Sequence, residues 1–560
     1  MEGHLRSGQD LSPAFRNVLV LSGLLQAALA VAFADLGPHY DETEWLEYGR
    51  AVRDGAAPNL WRAPGYQWFV AAGLALGGGS PIGVRLLQVA LSLATSLLAY
   101  RIGRERWGER AGLAAGAFLA FYPSAIAFSH CLWSEVLYGF LCLFAFERLL
   151  AARRSGSWRA AVAAGALLGA ASLTRSLGVA LLAVSVLWLA VASRRVGGAA
   201  LAAAFVVVAP WSIRASMLAG RPVVVDVNGS FNTWSGNNEY IPPEAGSIWS
   251  FGLPLDNGLL PLFDRYPVDA AWRDEVTRRM AADGVRQQLG PDGADWYRRE
   301  ALRNLRADPW DAVQRVPKKL AALWAPDFFL PRHLVRDWYG ETSPALAAAL
   351  VAVTWLAAAV PLLAGPGALA ALPGSPFRSL ALAWLAVYLV VHAVAYGHSR
   401  MHQPLVPFLV LAVAALCFDS EGGADRRRGA PRAAPWVALA AAAWILVWPV
   451  LGGVYLMPGP RHLGVARAVA FGRHLPLPGA ARLTWMLASV EASRGNAERA
   501  LRVLERGRHA EEPWSLYLRA LLQERRAATR ELADRALRAD PGLVPAQELL
   551  RELGAAGASR

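Results

Sequence analysis

Lysine is almost absent: Lys318 and Lys319 are the only two in 560 residues, so nearly all of the positive charge is arginine. A formal charge of +13 would suit nucleic acid if the basic residues gathered on one water-exposed face. They sit instead in short clusters beside apolar runs, which removes that reading. Cysteine is scarce as well. Cys131, Cys142 and Cys417 all fall in or beside apolar segments, with no CxxC and no metal-ligand spacing, so buried thiols are expected. There is no glycine-rich phosphate loop and no DxD motif, hence no evident nucleotide site. Charged residues make up only 18% of the chain against 55% hydrophobic, with a mean hydropathy of +0.29. A chain this long and this apolar is not one water-soluble core. It reads as a polytopic membrane protein. A transporter or flippase would carry internal repeats or charge near the bilayer midplane. Neither is evident.

What is present is a series of apolar runs. The first extends to Ala34 and reads as an uncleaved anchor, although its Ala-Phe-Ala end is similar to a signal-peptidase site. Residues 66 to 79 are apolar but too short to cross and suit a juxtamembrane segment. Further spans are predicted near 81–101, 111–129, 135–152, 159–174, 177–193, 197–216, 343–364, 379–396, 404–418 and 434–455, for about eleven crossings. Arginine clusters are retained on the cytoplasmic side. Arg101 to Arg110, Arg153 to Arg159, Arg194 and Arg195, and Arg426 to Arg432 lie an even number of crossings apart. That pattern puts residues 35–65, the hairpin around His130 to Glu135, the stretch 217–342 and the C-terminal tail outside. Residues 1–455 form one membrane module, and 456–484 read as a Pro- and Gly-bearing linker. Residues 485–560 are charged and amphipathic, with GNAERALRVLERG and LADRALRADPGLVPAQELL resembling about two degenerate tetratricopeptide repeats. This tail is either a helical hairpin packed on its own protein or a platform for a protein partner.

The stretch from Asp35 to Tyr66 is polar yet keeps Trp45, Leu46, Tyr48, Val52, Trp61 and Tyr66, as a segment lying along the membrane surface would. Its acidic pair, Asp41 and Glu42, opens a helix-like run. The spacing from Asp41 to Glu44 matches a capping box, so cap and catalytic base both stand as readings of Asp41. Glu44 and Glu47 are expected to face water. Arg62 precedes a rigid Pro-Gly turn and offers a fork suited to phosphate or to lipid headgroups. His130 and Glu135 are ionisable groups in apolar sequence, where they are costly and therefore functional candidates. Arg175, Lys318, Lys319 and Arg400 add cations on the same external side. His398 and His402 have helical metal-pair spacing, but Pro404 makes that a weak signal and no metal is assigned. Trp234, Tyr240 and Trp272 in the long external loop either stabilise the fold or meet an acceptor.

Taken in order, Asp41-Glu42, RAPGY at 62–66, RLLQVALSLATSLLAYRIGRERWG, FYPSAIAFSHCLWSEVL, SLTRSLG, APWSIR, VVVDVNGSFNTWSGNN, NLRADPWDAVQRVPKKLAALW and GHSRMHQPLVPF resemble the bacterial GT-C glycosyltransferases related to protein O-mannosyltransferase and aminoarabinose transferase. The resemblance covers about residues 14 to 418. It implies an all-α GT-C membrane fold and a sugar transferred from a polyprenyl-phosphate donor to a hydroxyl outside the cytoplasm. It implies Asp41 as general base with Glu42 beside it, Glu135 at the place of a second acidic residue, and basic residues including Arg62, Lys318 or Lys319, and Arg400 at the lipid phosphate. Tyr66 and Arg175 join the donor-binding candidates, and His130, His398 and His402 the candidates for substrate contact. A divalent cation near Asp41 and Glu135 is an open expectation. The other functions that fit are a lipid-linked-glycan polymerase or ligase, a transporter or flippase, and a non-catalytic scaffold. The expected location is a bacterial inner membrane.

Overall fold

The structure, a computed structural model, describes residues 11–39, 41–238, 270–418, 456, 458–476, 480–506, 508–523, 525–541 and 543–558. The described residues contain helices and no strand. The first half runs α1 (Pro13–Ala32), α2 (Asp41–Arg53), α3 (Pro64–Leu76), α4 (Ile82–Trp107), α5 (Glu109–Ala120), α6 (Pro123–His130), α7 (Glu135–Ser155), α8 (Trp158–Thr174), α9 (Leu177–Ala190) and α10 (Arg194–Ala219). Then come α11 (Gly229–Gly236), α12 (Ala270–Ala282), α13 (Pro291–Ala307), α14 (Pro309–Leu323) and α15 (Phe329–Val335). They are followed by α16 (Pro344–Ala371), α17 (Pro376–Val394) and α18 (Ser399–Phe418). The C-terminal part holds α19 (Leu463–Val469), α20 (Ala480–Ser493), α21 (Ala497–Glu505), α22 (Pro513–Leu521), α23 (Arg526–Ala539) and α24 (Val544–Ala558).

A recurring Ser-Pro pair starts several of these helices. At α1, α16 and α17 the serines Ser12, Ser343 and Ser375 accept the backbone N–H three residues on, at 3.2–3.3 Å, while proline fills the first helical position. Each such cap contributes about 1 kcal/mol. Six helices, α1, α4, α10, α16, α17 and α18, are long and apolar enough to cross a membrane, and α5 with α6, bent by 48°, makes up to seven. That count is of the described residues, against about eleven expected for the whole chain. α8 and α9 have 17 and 14 residues, about 26 and 21 Å of helix, short of the roughly 30 Å hydrocarbon core. The expected crossing at 434–455 and the cluster Arg426 to Arg432 lie outside the described residues, as do Tyr240 and the side chain of Trp272.

The membrane core packs α4, α5, α7, α8, α17 and α18 around Tyr138, Phe146, Trp384 and Phe408. Small residues let backbones meet. A Cβ on Gly165 of α8 would sit 2.0 Å from the Ala200 carbonyl oxygen of α10, so these two helices are in backbone contact there. Gly165→Val is expected to cost about 3 kcal/mol by overpacking, read as a lowered Tm in detergent; an unchanged Tm would show that the α8–α10 contact is loose.

On the side where α2 and α3 lie, Trp234 of α11 packs with Trp296 and Tyr297 of α13 and with Trp61. Trp234 is therefore a core residue. The expected linker at 456–484 instead contains α19 and the start of α20, because Val465, Ala466 and Val469 bury one face against Leu483 and Leu487. The C-terminal helices also share their core with Phe128, Trp133 and Phe329 of the membrane module.

Candidate active site

The loop before α3 is built to present Arg62. Pro64 takes the first helical position of α3 with Ala63 as its extended cap residue. The Gln67 amide latches the loop: its Oε1 accepts the Asn59 N–H at 2.7 Å, and its Nε2 donates to the Asn59 and Arg62 carbonyls at 2.9 Å. Gly65 permits the close approach of α8, since a Cβ there would lie 2.8 Å from the Leu173 oxygen. The result places Arg62 beside Arg175, which follows the end of α8.

These side chains line a cavity of about 460 Å³ with Asp41, Glu135, Asp226 and Arg400. Asp41 is held between two guanidinium groups: Arg62 Nη2 lies 3.4 Å from Oδ1, and Arg400 Nη1 donates to Oδ2 at 2.9 Å. Burial raises the Asp41 pKa, but Arg62 and Arg400 outweigh it and hold the carboxyl well below its usual range. Glu135 Oε1 accepts from Arg175 Nη1 at 2.6 Å and lies 3.7 Å from Arg400 Nε, while its Oε2 is buried without a hydrogen-bond partner. Arg400 also stacks over Trp133, with 4.3 Å to the ring centroid. Three fixed cations thus face one cavity, each paired with a carboxylate that an incoming anion can replace.

The acidic run at the start of α2 divides its duties in a way the sequence does not show. Glu42, the expected partner of Asp41 in catalysis, does not line the cavity. Its Oε1 accepts the Leu132 N–H at 2.6 Å and its Oε2 the His39 N–H at 3.0 Å, so it ties α2 to the turn before α7. Glu44, expected in water, accepts from Arg62 at 2.8 and 3.0 Å. Glu42 thus holds the chain just before α2 to the turn before α7.

Other candidates are also held elsewhere. Tyr66 is fully buried and donates to Gln88 Oε1 at 2.6 Å. His130 Nε2 bonds the Tyr339 hydroxyl at 3.0 Å, His398 Nδ1 accepts the Arg400 N–H at 3.2 Å, and His402 Nδ1 bonds the Leu323 carbonyl at 2.8 Å. Among the described residues the last two belong to no group of three or more His, Cys, Asp or Glu that could hold a metal ion. Neither Lys318 nor Lys319 lines the cavity. Lys319 Nζ donates to Asn237 Oδ1 at 2.8 Å and to the Ala393 and Val394 carbonyls at 3.1 and 3.2 Å, so it fastens α14 to the end of α17. Lys319→Met is expected to cost about 2–4 kcal/mol of stability by stranding these acceptors while leaving polyprenyl-phosphate affinity unchanged. Thermal unfolding and lipid-phosphate titration of the same sample check both halves.

A divalent cation does not fit this donor set. Among the described residues no group of three or more His, Cys, Asp or Glu is placed to hold a metal ion, and Asp41 and Glu135 each face arginine.

Asp226 is a cavity residue that the sequence reading passed over. It lies in VVVDVNGS, where a lone carboxylate in a valine run before an Asn-Gly turn was the available signal. Oδ1 accepts the Asn228 N–H at 3.2 Å, and the Ser176 hydroxyl donates to the same carboxylate. Burial pushes its pKa up to about 6, against these hydrogen bonds and the more distant Arg62 and Arg175.

Residues 61–213, from the loop before Arg62 into α10, match the family model of dolichyl-phosphate-mannose-protein mannosyltransferase. Two solved structures are similar to the chain at low identity. ArnT from Cupriavidus metallidurans bound to undecaprenyl phosphate is 16% identical over 88% of this chain and 80% of that one, with a TM-score of 0.41. The apo oligosaccharyltransferase of Archaeoglobus fulgidus is 14% identical over 84% of this chain and 59% of that one, also with a TM-score of 0.41. No curated protein matches the chain. The family match covers about a quarter of the chain, and it takes in Arg62, Glu135 and Arg175 with the helices around them, so this part of the chain is similar to that mannosyltransferase family.

Proposed function

We propose that this protein transfers a sugar from a polyprenyl-phosphate donor to an acceptor hydroxyl on the extracytoplasmic side of a bacterial inner membrane, with inversion at the anomeric carbon. The observation that carries the reading is the convergence of Arg62, Arg175 and Arg400 on one cavity with Asp41 between two of them. The acceptor oxygen attacks the anomeric carbon and the bond from that carbon to the phosphate oxygen breaks. Polyprenyl phosphate leaves with the bonding pair, and the arginines stabilise its charge. Asp41 receives the acceptor proton.

The ion pairs suggest an order of events. A carboxylate clamped by two guanidinium groups is a weak base. A lipid phosphate that takes over Arg62 and Arg400 releases Asp41 and raises its basicity, so the base becomes competent once the donor is seated. The C-terminal helices, read as tetratricopeptide-like, serve on this view as a platform for a protein partner.

The test is a panel of radiolabelled polyprenyl-phosphate sugars offered to the purified protein in nanodiscs. Release or transfer of sugar from one of them is expected. Absence of both, with lipid phosphate also failing to bind, would sink the reading.

A further inference from the structure

A second cavity, a groove of about 310 Å³, runs along the segment between α10 and α11. It shares Ser176, Asp226 and Gly229 with the arginine-lined cavity, so the two meet at these three residues. Arg62, Arg175 and Arg400 line only the first cavity, while Arg221 on the groove side is paired with Asp295 at 2.9 Å. Val179, Pro222 and Val224 form an apolar wall on the groove side, and Val224 is 57% exposed.

The carboxylates differ in what they have left to offer. Asp41 and Glu135 are engaged by arginine, whereas Asp226 forms no ion pair among the described residues and accepts only from a backbone N–H and a hydroxyl. A half-buried carboxylate with cations only at a distance is costly unless donors complete it. Sugar and polyol hydroxyls are such donors, and an apolar wall beside them suits an aglycone. Gly229, shared by both cavities, has free space beside it, since an added Cβ would meet nothing within 4 Å.

We infer that this groove is the acceptor site, that it takes a sugar or polyol bearing an apolar aglycone, and that Asp226 orients the acceptor by accepting a hydrogen bond from its hydroxyl. The inference rests on the glycosyl-transfer reading for its reaction, and on the joined cavities for its place. The donor phosphate enters among the arginines, the acceptor enters from the groove, and the two meet beside Asp41. Asp226 is a positioning residue: it accepts no proton in the transfer, and the bond-making falls to the groups already described.

The experiment uses the full chain in neutral-lipid nanodiscs. Binding of hexyl glucoside and of glucose is followed by saturation-transfer NMR, and the acceptor KM and kcat are measured with whichever donor the panel yields. Wild type is expected to bind hexyl glucoside at least tenfold more tightly than glucose. Asp226→Asn, which keeps an acceptor for the Asn228 N–H, is expected to raise the acceptor KM about tenfold with donor affinity unchanged, and Asp226→Glu to restore part of it. Gly229→Leu adds bulk to the lining that the two cavities share and is expected to do the same.

Three results would overturn the inference: glucose binding as tightly as hexyl glucoside, an acceptor KM that neither variant moves, or loss of donor affinity in Asp226→Asn. Failure of every donor would defeat the transfer reading instead. In that event hexyl glucoside binding that is lost in both variants would still uphold the site, and binding that persists in them would remove it.

Discussion

Replacement of Asp41 by asparagine is expected to lower kcat about a thousandfold while Tm stays near wild type. Polyprenyl-phosphate binding is expected to be kept or tightened, since the carboxylate that competes for Arg62 and Arg400 is gone. Asparagine preserves the shape and an oxygen for Arg400, so the fold around α2 loses little. It cannot accept the acceptor proton. Single-turnover transfer compared with lipid-phosphate titration separates the two effects. Equal turnover by both proteins would return Asp41 to a purely structural part. Glu42→Gln provides the contrast: it disturbs the ties to Leu132 and His39, so its expected signature is a lowered Tm with transfer retained by the folded fraction.

The second large effect concerns Arg400. Arg400→Gln removes a charge-assisted contact to the departing phosphate, worth about 1.5–3 kcal/mol, so donor affinity is expected to fall by roughly tenfold to a hundredfold. It also removes the nearer of the two cations on Asp41. The sign follows from the depression of the Asp41 pKa by its arginines: a carboxyl held low stays ionised into acid, and losing a cation moves its pKa up. The acid limb of the pH–rate profile should therefore shift toward neutral pH in the variant, measured at saturating acceptor. A limb that stays in place would show that Asp41 does not control the rate.

Several features were legible before any coordinates. Apolar runs with few charges announce membrane helices whatever their neighbours are, because the bilayer selects on composition. Glu135 was a candidate because an ionised group in apolar sequence is expensive and needs a reason, Arg62 because its fork before a rigid turn suits phosphate, and Asp41 and Arg400 through the resemblance to GT-C glycosyltransferases.

The structure corrected readings that depended on phase and on partners. Asp41, Glu42 and Glu44 lie within one turn of α2, and about 100° of rotation per residue decides which of them meets Arg62, which meets Leu132 and which the cavity. Lys319 and the histidines have the chemistry for a site but point into helix contacts at Val394, Tyr339 and Leu323. Asp226 had only a weak local signal, and its meaning comes from α9, whose Ser176 turn brings two cavities to it.

The sequence by itself determined that the chain is a helical membrane protein with an acidic loop after its first apolar run and with arginine as nearly its only cation, since hydropathy and composition need no partner. Only the tertiary structure decided which carboxylate faces which guanidinium, that Lys319 is a fastener, and that Asp226 stands where two cavities join. Those facts depend on packing between helices up to 359 residues apart in sequence, as with Asp41 and Arg400, and local patterning carries no information about that register.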